Sequence, residues 1–394
     1  MPIGYVLAVG VAALGFVAAV RPLRRSGALG GISWFVSLVV NESPFFGLYW
    51  LAAISLLAWS QGDLAGPAGW LGLAVAVGAA AASVVLVRRS LTAGPVMQAA
   101  LRDGLGPRWA DAAPAGRPGR RPLLRWVRIV LAPLPVLAWD LRRTRNVRYG
   151  SAERHNLFDL YRARRRTPAG PVLIHLHGGH FRTGRKSFEG RPLLHRCARN
   201  GWLCISANYR LRPHASYADM LTDTKAVIAW AKANAERYGA DPGCVFVSGS
   251  SAGAHLAVTA ALTPNQAAFQ AGFEQADTTV AAAVGFYGYY GPVDGGEAGP
   301  TAPGDYVHAD APPVLLLHGG NDTYVAPANP RALVARLRDA AAHPVVYAEL
   351  PHAQHSFDLL HSVRYETVID GVEDFAAWVR AQRRPRRSAA PSDR

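Results

Sequence analysis

The chain has 394 residues, 50% of them hydrophobic, and a formal net charge of +15. That balance excludes a disordered or collagen-like chain and leaves room for more than one folded unit. The charge is local: residues 88–166 hold 18 Arg and no Lys against five acids, which is +13 of the +15.

Residues 3–20 form an uncharged apolar run followed by Arg21, Arg24 and Arg25, and residues 70–87 form a second one followed by Arg88 and Arg89. Each is long enough to cross most of a hydrocarbon core of about 30 Å. Between them, residues 28–60 are apolar apart from Asn41-Glu42-Ser43-Pro44. Pro44 lacks a backbone donor and pushes the residue before it out of helical geometry. We read a span over 44–60 and a short interfacial or re-entrant piece over 29–40. A cleaved signal peptide fits poorly, because no basic segment precedes the first run and arginines follow it. Residues 1–88 are therefore expected to be a transmembrane helical region, with a buried soluble bundle as the alternative. Both flanking segments are basic, and the loop 61–69 has Asp63 and no Lys or Arg. The positive-inside rule then predicts three spans, a multi-pass membrane protein and a cytoplasmic C-terminal domain.

Residues 89–145 read as a basic linker that is interfacial or caps the site. No nucleic-acid module is legible, and the basic stretch follows an apolar one, so anionic membrane lipids are the expected partner and nucleic acid is not. Residues 114–122 are rich in Pro, Gly and Arg, a linker signature. Residues 123–145 mix Trp126, Trp139 and aliphatic residues with five Arg, and Pro133 and Pro135 predict two short pieces with a kink. The segment is expected in the membrane interface, or over the active site, or both.

From 146 the pattern changes. Apolar runs at 171–177, 202–207, 244–248, 280–286, 314–318 and 345–350 read as buried strands. Residues 146–149 and 156–162 add leading strands. Helix-like stretches at 188–199, 217–238, 252–262, 330–341 and 364–380 alternate with them. This order implies an α/β fold with a mostly parallel sheet covered on both faces, whose ligands bind at the carboxyl ends of the strands. Cys204 and Cys244 lie in such runs and read as buried thiols. No Cys or His spacing suggests a metal. Residues 384–394 form a basic tail expected to be disordered.

The chemistry follows the strands. The run 244–248 leads into Gly249-Ser250-Ser251-Ala252-Gly253 and then a helix, which is Gly-x-Ser-x-Gly in a strand–turn–helix setting. Ser251 is the candidate nucleophile, at a helix N-terminus that favours developing negative charge. The backbone N–H groups of Gly179 and His180 in His177-Gly178-Gly179-His180, with that of Ala252, are the candidate oxyanion donors. A serine needs a base, and the base an orienting acid. Asp322 is the candidate acid, with Asp294, Asp305 and Asp310 as rivals. His355 is the candidate base, with His352 as the rival. Ser250 receives no catalytic role.

These motifs carry a resemblance. HGGHF (177–181), SANYRLRP (206–213), GSSAGAHLA (249–257), HGGNDTYV (318–325) and HSF (355–357) make residues 146–383 similar to the hormone-sensitive-lipase-like and carboxylesterase groups of the α/β-hydrolase superfamily. The resemblance implies the α/β-hydrolase fold, a triad of Ser251, Asp322 and His355, and an oxyanion hole of Gly179, His180 and Ala252. It implies a serine esterase or lipase acting on a small-molecule or lipid ester without metal or organic cofactor. Three positions depart from the pattern: His180 replaces a glycine, Ser250 replaces an acid and Ala254 replaces a glycine. An aryl-formamide hydrolase or peptidase with the same triad, and a non-catalytic membrane-tethered binding protein, are the alternatives. Any cap must come from upstream of Asn146.

Overall fold

The computed structural model describes residues 3–23, 28–112, 122–135, 138–165, 170–293 and 299–383. Among the described residues, six helices come first: α1 (Ile3–Val20), α2 (Ala28–Glu42), α3 (Pro44–Ser60), α4 (Pro67–Leu91), α5 (Ala93–Leu105) and α6 (Pro122–Leu131). Then β1 (Leu141–Arg148), β2 (Leu157–Ala163), β3 (Gly170–Leu176), α7 (Arg191–Arg199), β4 (Leu203–Ala207), α8 (Tyr217–Asn234) and β5 (Ala240–Ser250) follow. The chain continues through α9 (Ala252–Leu262), β6 (Ala282–Phe286), β7 (Val314–Gly319), α10 (Ala328–Ala340), β8 (Val345–Leu350) and α11 (Val363–Arg383).

The eight strands form one sheet in the order β1-β2-β4-β3-β5-β6-β7-β8. β1 with β2, and β2 with β4, run antiparallel, and the other pairs are parallel. Side chains alternate across a strand. In β3, Val172, Ile174 and Leu176 join the core beneath α8, α9 and α10, while Leu173 joins the core beneath α5, α7 and α11. Burial on both faces explains why these strands read as unbroken apolar runs. Cys197, Cys204 and Cys244 are all buried.

The expected elements are present with shifted edges. β1 starts at Leu141, upstream of the expected Asn146, because Arg142 and Arg143 pair across to Arg162 and Tyr161. α5, inside the 89–145 segment expected to be a basic linker, interfacial or capping, packs as a layer of the catalytic unit. Met97 and Leu101 are buried among Val346, Ile369 and Val372, and Arg338 Nη2 lies 2.7 Å from Asp103. Boundaries at 89 and 145 thus cut through packed elements. The 114–122 linker lies almost entirely outside the described residues, and the 384–394 tail wholly so.

By length and composition, Ile3–Val20 and Pro67–Leu105 are sufficient to cross a membrane. The pair α2–α3, bent by 90° at Ser43, adds a third crossing if it counts as one. Within this region Tyr5 Oη and Ser55 Oγ are 3.0 Å apart, and Asn41 Nδ2 donates to Ala19 O at 3.0 Å. The outward faces are apolar: Val11 and Leu14 are each 70% exposed. α6 lies beside α11 and α3 rather than over the strand ends. Arg125 Nη1 pairs with Asp370 at 2.9 Å, and Tyr49 Oη donates to Val130 O at 3.1 Å.

Candidate active site

The loops after β3, β5, β7 and β8 meet at the carboxyl ends of the parallel strands. Ser251 follows the last residue of β5 with φ 51° and ψ −115°, and α9 starts at the next residue. A non-glycine residue held there stores on the order of 1–3 kcal/mol of strain. Its neighbours hold it in place. Ser251 N–H donates to Phe286 O at 2.9 Å, a Cβ on Gly249 would strike Gly253, and one on Gly253 would strike the carbonyls of Leu176 and His177. Both glycines are therefore steric necessities of the turn.

His355 Nε2 lies 3.0 Å from Ser251 Oγ, and His355 Nδ1–H donates to Asp322 Oδ2 at 2.7 Å. Asp322 is fixed by Tyr324 N–H at 2.9 Å and Val325 N–H at 2.8 Å. Burial pushes its carboxyl up, but His355, His318 and the Val325 N–H outweigh that and hold it below the usual carboxylate range. Gln354 Oε1 accepts from the N–H groups of Thr323 and His355, each at 2.9 Å, and so ties the acid loop to the base loop. Asp305 instead pairs with Arg336 at 3.5 Å, Asp310 is exposed, and Asp294 lies outside the described residues. His352 is absent from the lining of the cleft that holds Ser251 and His355.

Gly178, Gly179, His180 and Ser251 line one cleft of about 470 Å³. Gly178 N–H is committed to Glu189 Oε2, whereas the next two residues of the loop, Gly179 and His180, line the cleft beside Ser251. Gly179 has φ +119°, and a Cβ there would strike the Thr183 carbonyl. His180, in the place of a usual glycine, also keeps a left-handed φ of 55°. Its ring faces Tyr324 at 5.7 Å. Ala252 N–H opens α9, among the amides a helix leaves unpaired. Among the described residues, no group of three His, Cys, Asp or Glu side chains is arranged to hold a metal ion.

The BD-FAE family model matches residues 158–294. The chain is 36% identical to the probable carboxylic ester hydrolase LipM of Mycobacterium tuberculosis, over 96% of this chain and 94% of LipM. It is 37% identical to esterase LipQ of the same organism, over 73% of this chain and 75% of LipQ. This chain belongs to the carboxylic ester hydrolases of the α/β-hydrolase fold. Among solved structures, esterase B from Lactobacillus rhamnosis superposes with a TM-score of 0.56 at 21% identity, over 73% of this chain and 96% of that one.

The esterase contains parts that sequence reasoning missed. Trp34 of α2 lines the cleft with Arg185, Phe188 and Tyr324, and its indole N–H donates to His355 O at 3.3 Å. Among the described residues upstream of Asn146, the one that lines the cleft is Trp34 of α2. No local signal marks Trp34, which sits in an apolar run 321 positions before His355. A second hidden part lies under the nucleophile. Ser250 Oγ donates to Asp358 Oδ2 at 2.5 Å, Tyr287 Oη donates to Asp358 Oδ1, and Ser250 Oγ is 3.3 Å from His175 Nε2. A carboxylate, that of Asp358, thus lies against the Ser250 side chain. Burial and then Asp358 push the Glu189 carboxyl up to about 8. Burial likewise pushes Asp358 up, and it pushes His175 down to about 3.

Proposed function

We propose that Ser251 attacks the ester carbonyl, that His355 takes its proton and returns it to the leaving alcohol, and that Asp322 orients and stabilises His355. Gly179, His180 and Ala252 donate their N–H groups to the tetrahedral oxyanion, and water then releases the acid from the acyl-enzyme. The observation that carries this reading is the chain of contacts from Ser251 through His355 to Asp322, 3.0 Å and 2.7 Å long. Fluorophosphonate labelling tests it: the full chain is expected to label and Ser251→Ala not to. Labelling that survives in Ser251→Ala, or an active full chain that never labels, overturns the assignment. A parallel panel of an aryl formamide and a peptide amide separates the ester reading from its rivals.

The protein crosses the bilayer several times through residues 1–88, and its catalytic unit faces the cytoplasm. The apolar α1 and α4 and the arginines that follow each of them support this reading. Protease added to intact cells is expected to leave the catalytic unit uncut. Digestion from outside reverses the topology.

Residues 123–145 rest in the headgroup interface. Trp139 is 80% exposed and Trp126 42% exposed, as suits interfacial aromatics. Anionic lipids meet Arg142 and Arg145, which are exposed on β1, whereas Arg143 is already paired with Asp159 at 2.5 Å. Each exposed Arg is worth about 1 kcal/mol at an anionic surface. Exchange of Arg142 and Arg145 for Gln is expected to weaken stimulation by anionic vesicles. Unchanged stimulation removes these lipids as partners.

A further inference from the structure

The cleft above Ser251 is built from both halves of the molecule. Its floor and loops belong to the catalytic sheet, but one wall is Trp34, on the first arm of the 90° helical elbow α2–α3. Trp34 meets Tyr324 edge-on at 5.1 Å, and Tyr324 lies 5.4 Å from the His355 ring. Phe188 and Tyr324, 51% and 45% exposed, keep the mouth apolar, and the Arg185 guanidinium sits 5.9 Å above the Phe188 ring. On the same helix Leu29, Ile32 and Phe35 are 64%, 61% and 57% exposed. An apolar helix with exposed aliphatic and aromatic side chains is at rest in hydrocarbon and costly to leave in water. α2 thus continues from an outward apolar face to the indole that touches the base loop.

α2 is also held firmly. The Glu42 carboxylate, at its C-terminal end, bonds to Arg364 and accepts from Ser362 Oγ at 2.6 Å. Its other end is tied where Leu23 N–H donates to Ser33 Oγ at 2.8 Å. The wall is therefore a fixed part of the site.

We propose that α2 is the substrate-selecting wall of this esterase, and that the substrate is an ester with one aliphatic chain, drawn from the bilayer along α2 and seated against Trp34 with its carbonyl at Ser251. The cleft volume of about 470 Å³ lies in the lower part of the range for small-molecule sites. It suits a single chain with a compact head. This inference rests on the serine-esterase reading and adds to it the class of substrate and its route.

The test uses the full chain in phosphatidylcholine vesicles, with p-nitrophenyl decanoate and p-nitrophenyl acetate as substrates. Trp34→Ala is expected to lower the decanoate-to-acetate ratio of kcat/KM by about tenfold or more, since single methylenes in apolar pockets are already worth that much. Trp34→Phe, which keeps an aromatic wall without the N–H donor, is expected to keep most of the ratio. An unchanged ratio in Trp34→Ala overturns the proposal, and so does an equal loss on both esters, which makes Trp34 a brace for the His355 loop only. The route has its own arm. With p-nitrophenyl palmitate loaded into the vesicles that carry the enzyme, an excess of empty vesicles is expected to leave the initial rate unchanged. A fall in proportion to added lipid means delivery through water and overturns the route. Failure of the underlying reading looks different: no ester of any length is then hydrolysed in a Ser251-dependent way.

Discussion

The carboxylate of Glu42, at the elbow between two apolar helices, is bonded to the guanidinium of Arg364 on the last helix of the catalytic unit. Both side chains are buried, at 1% and 0% exposure, so the pair forms a charged rivet in an apolar joint. It places α2, and with it Trp34, over the catalytic loops.

A buried ion pair is weak evidence for stability as a whole, but loss of one partner leaves the other charge buried and alone. Arg364→Ala is therefore expected to cost about 3–5 kcal/mol, read as a lower thermal unfolding midpoint in detergent. The double exchange Glu42→Leu with Arg364→Met is expected to recover much of the loss. If the double variant is as unstable as the single one, lost packing and not lost pairing explains the effect.

Ser251→Ala, Asp322→Ala and His355→Ala are each expected to lower ester turnover by on the order of 10⁴-fold or more, with unfolding midpoints unchanged. Triad members act as a unit, so Ser251→Ala combined with His355→Ala is expected to cost little more than either alone. His352→Ala is the control and retains turnover, because His352 lies away from the cleft lining. A reversal between His352 and His355 in steady-state kinetics refutes the base assignment.

Glu189, beside Asp358, is expected to make stability fall as pH rises towards 8 and activity fall above it. Glu189 faces Asp358 and the phenols of Tyr209, Tyr287 and Tyr365, and it accepts from Gly178 N–H. Its pKa is raised from 4.5 to about 8, so the folded state holds the proton more tightly than the unfolded chain. The associated stability is fully present below 4.5 and is lost as pH rises through about 8. Ionised Glu189 also places negative charge beside Gly178, next to the proposed oxyanion donors. Glu189→Gln is expected to flatten the decline in stability between pH 4.5 and 8, and to preserve kcat/KM above pH 8. A variant whose alkaline limbs match those of the wild type refutes this role.

Helix α5 is expected to be indispensable to the catalytic unit. Burial of Met97 and Leu101, at 1% and 0% exposure, contributes about 1.5–3 kcal/mol for each side chain. A chain shortened to begin at residue 93 is expected to unfold cooperatively, and one shortened to begin at 123 to be molten or aggregated, as circular dichroism melting would report. Equal melting of both chains would make α5 an accessory.

The sequence by itself determined what repeats at short range. Apolar runs with turn residues at their ends marked every parallel strand, because burial on both faces demands it. The Gly-x-Ser-x-Gly turn was legible because two glycines must be close to neighbouring backbone, and the candidate acid and base each follow a strand. Pro44 marked the break between α2 and α3 because a missing N–H and a ring clash are local effects. The edges blurred where charge and burial disagree: α5 carries Arg102 and Asp103 on one face and its core residues on the other. Only the tertiary structure decided which distant groups meet. Trp34 and His355, Glu42 and Arg364, and Ser250 and Asp358 are pairs whose members carry no shared local pattern. The first two owe their contact to the packing of α2 against the β8–α11 loop and α11, and the third to the fold of that loop beneath the end of β5; no window of neighbouring residues encodes either.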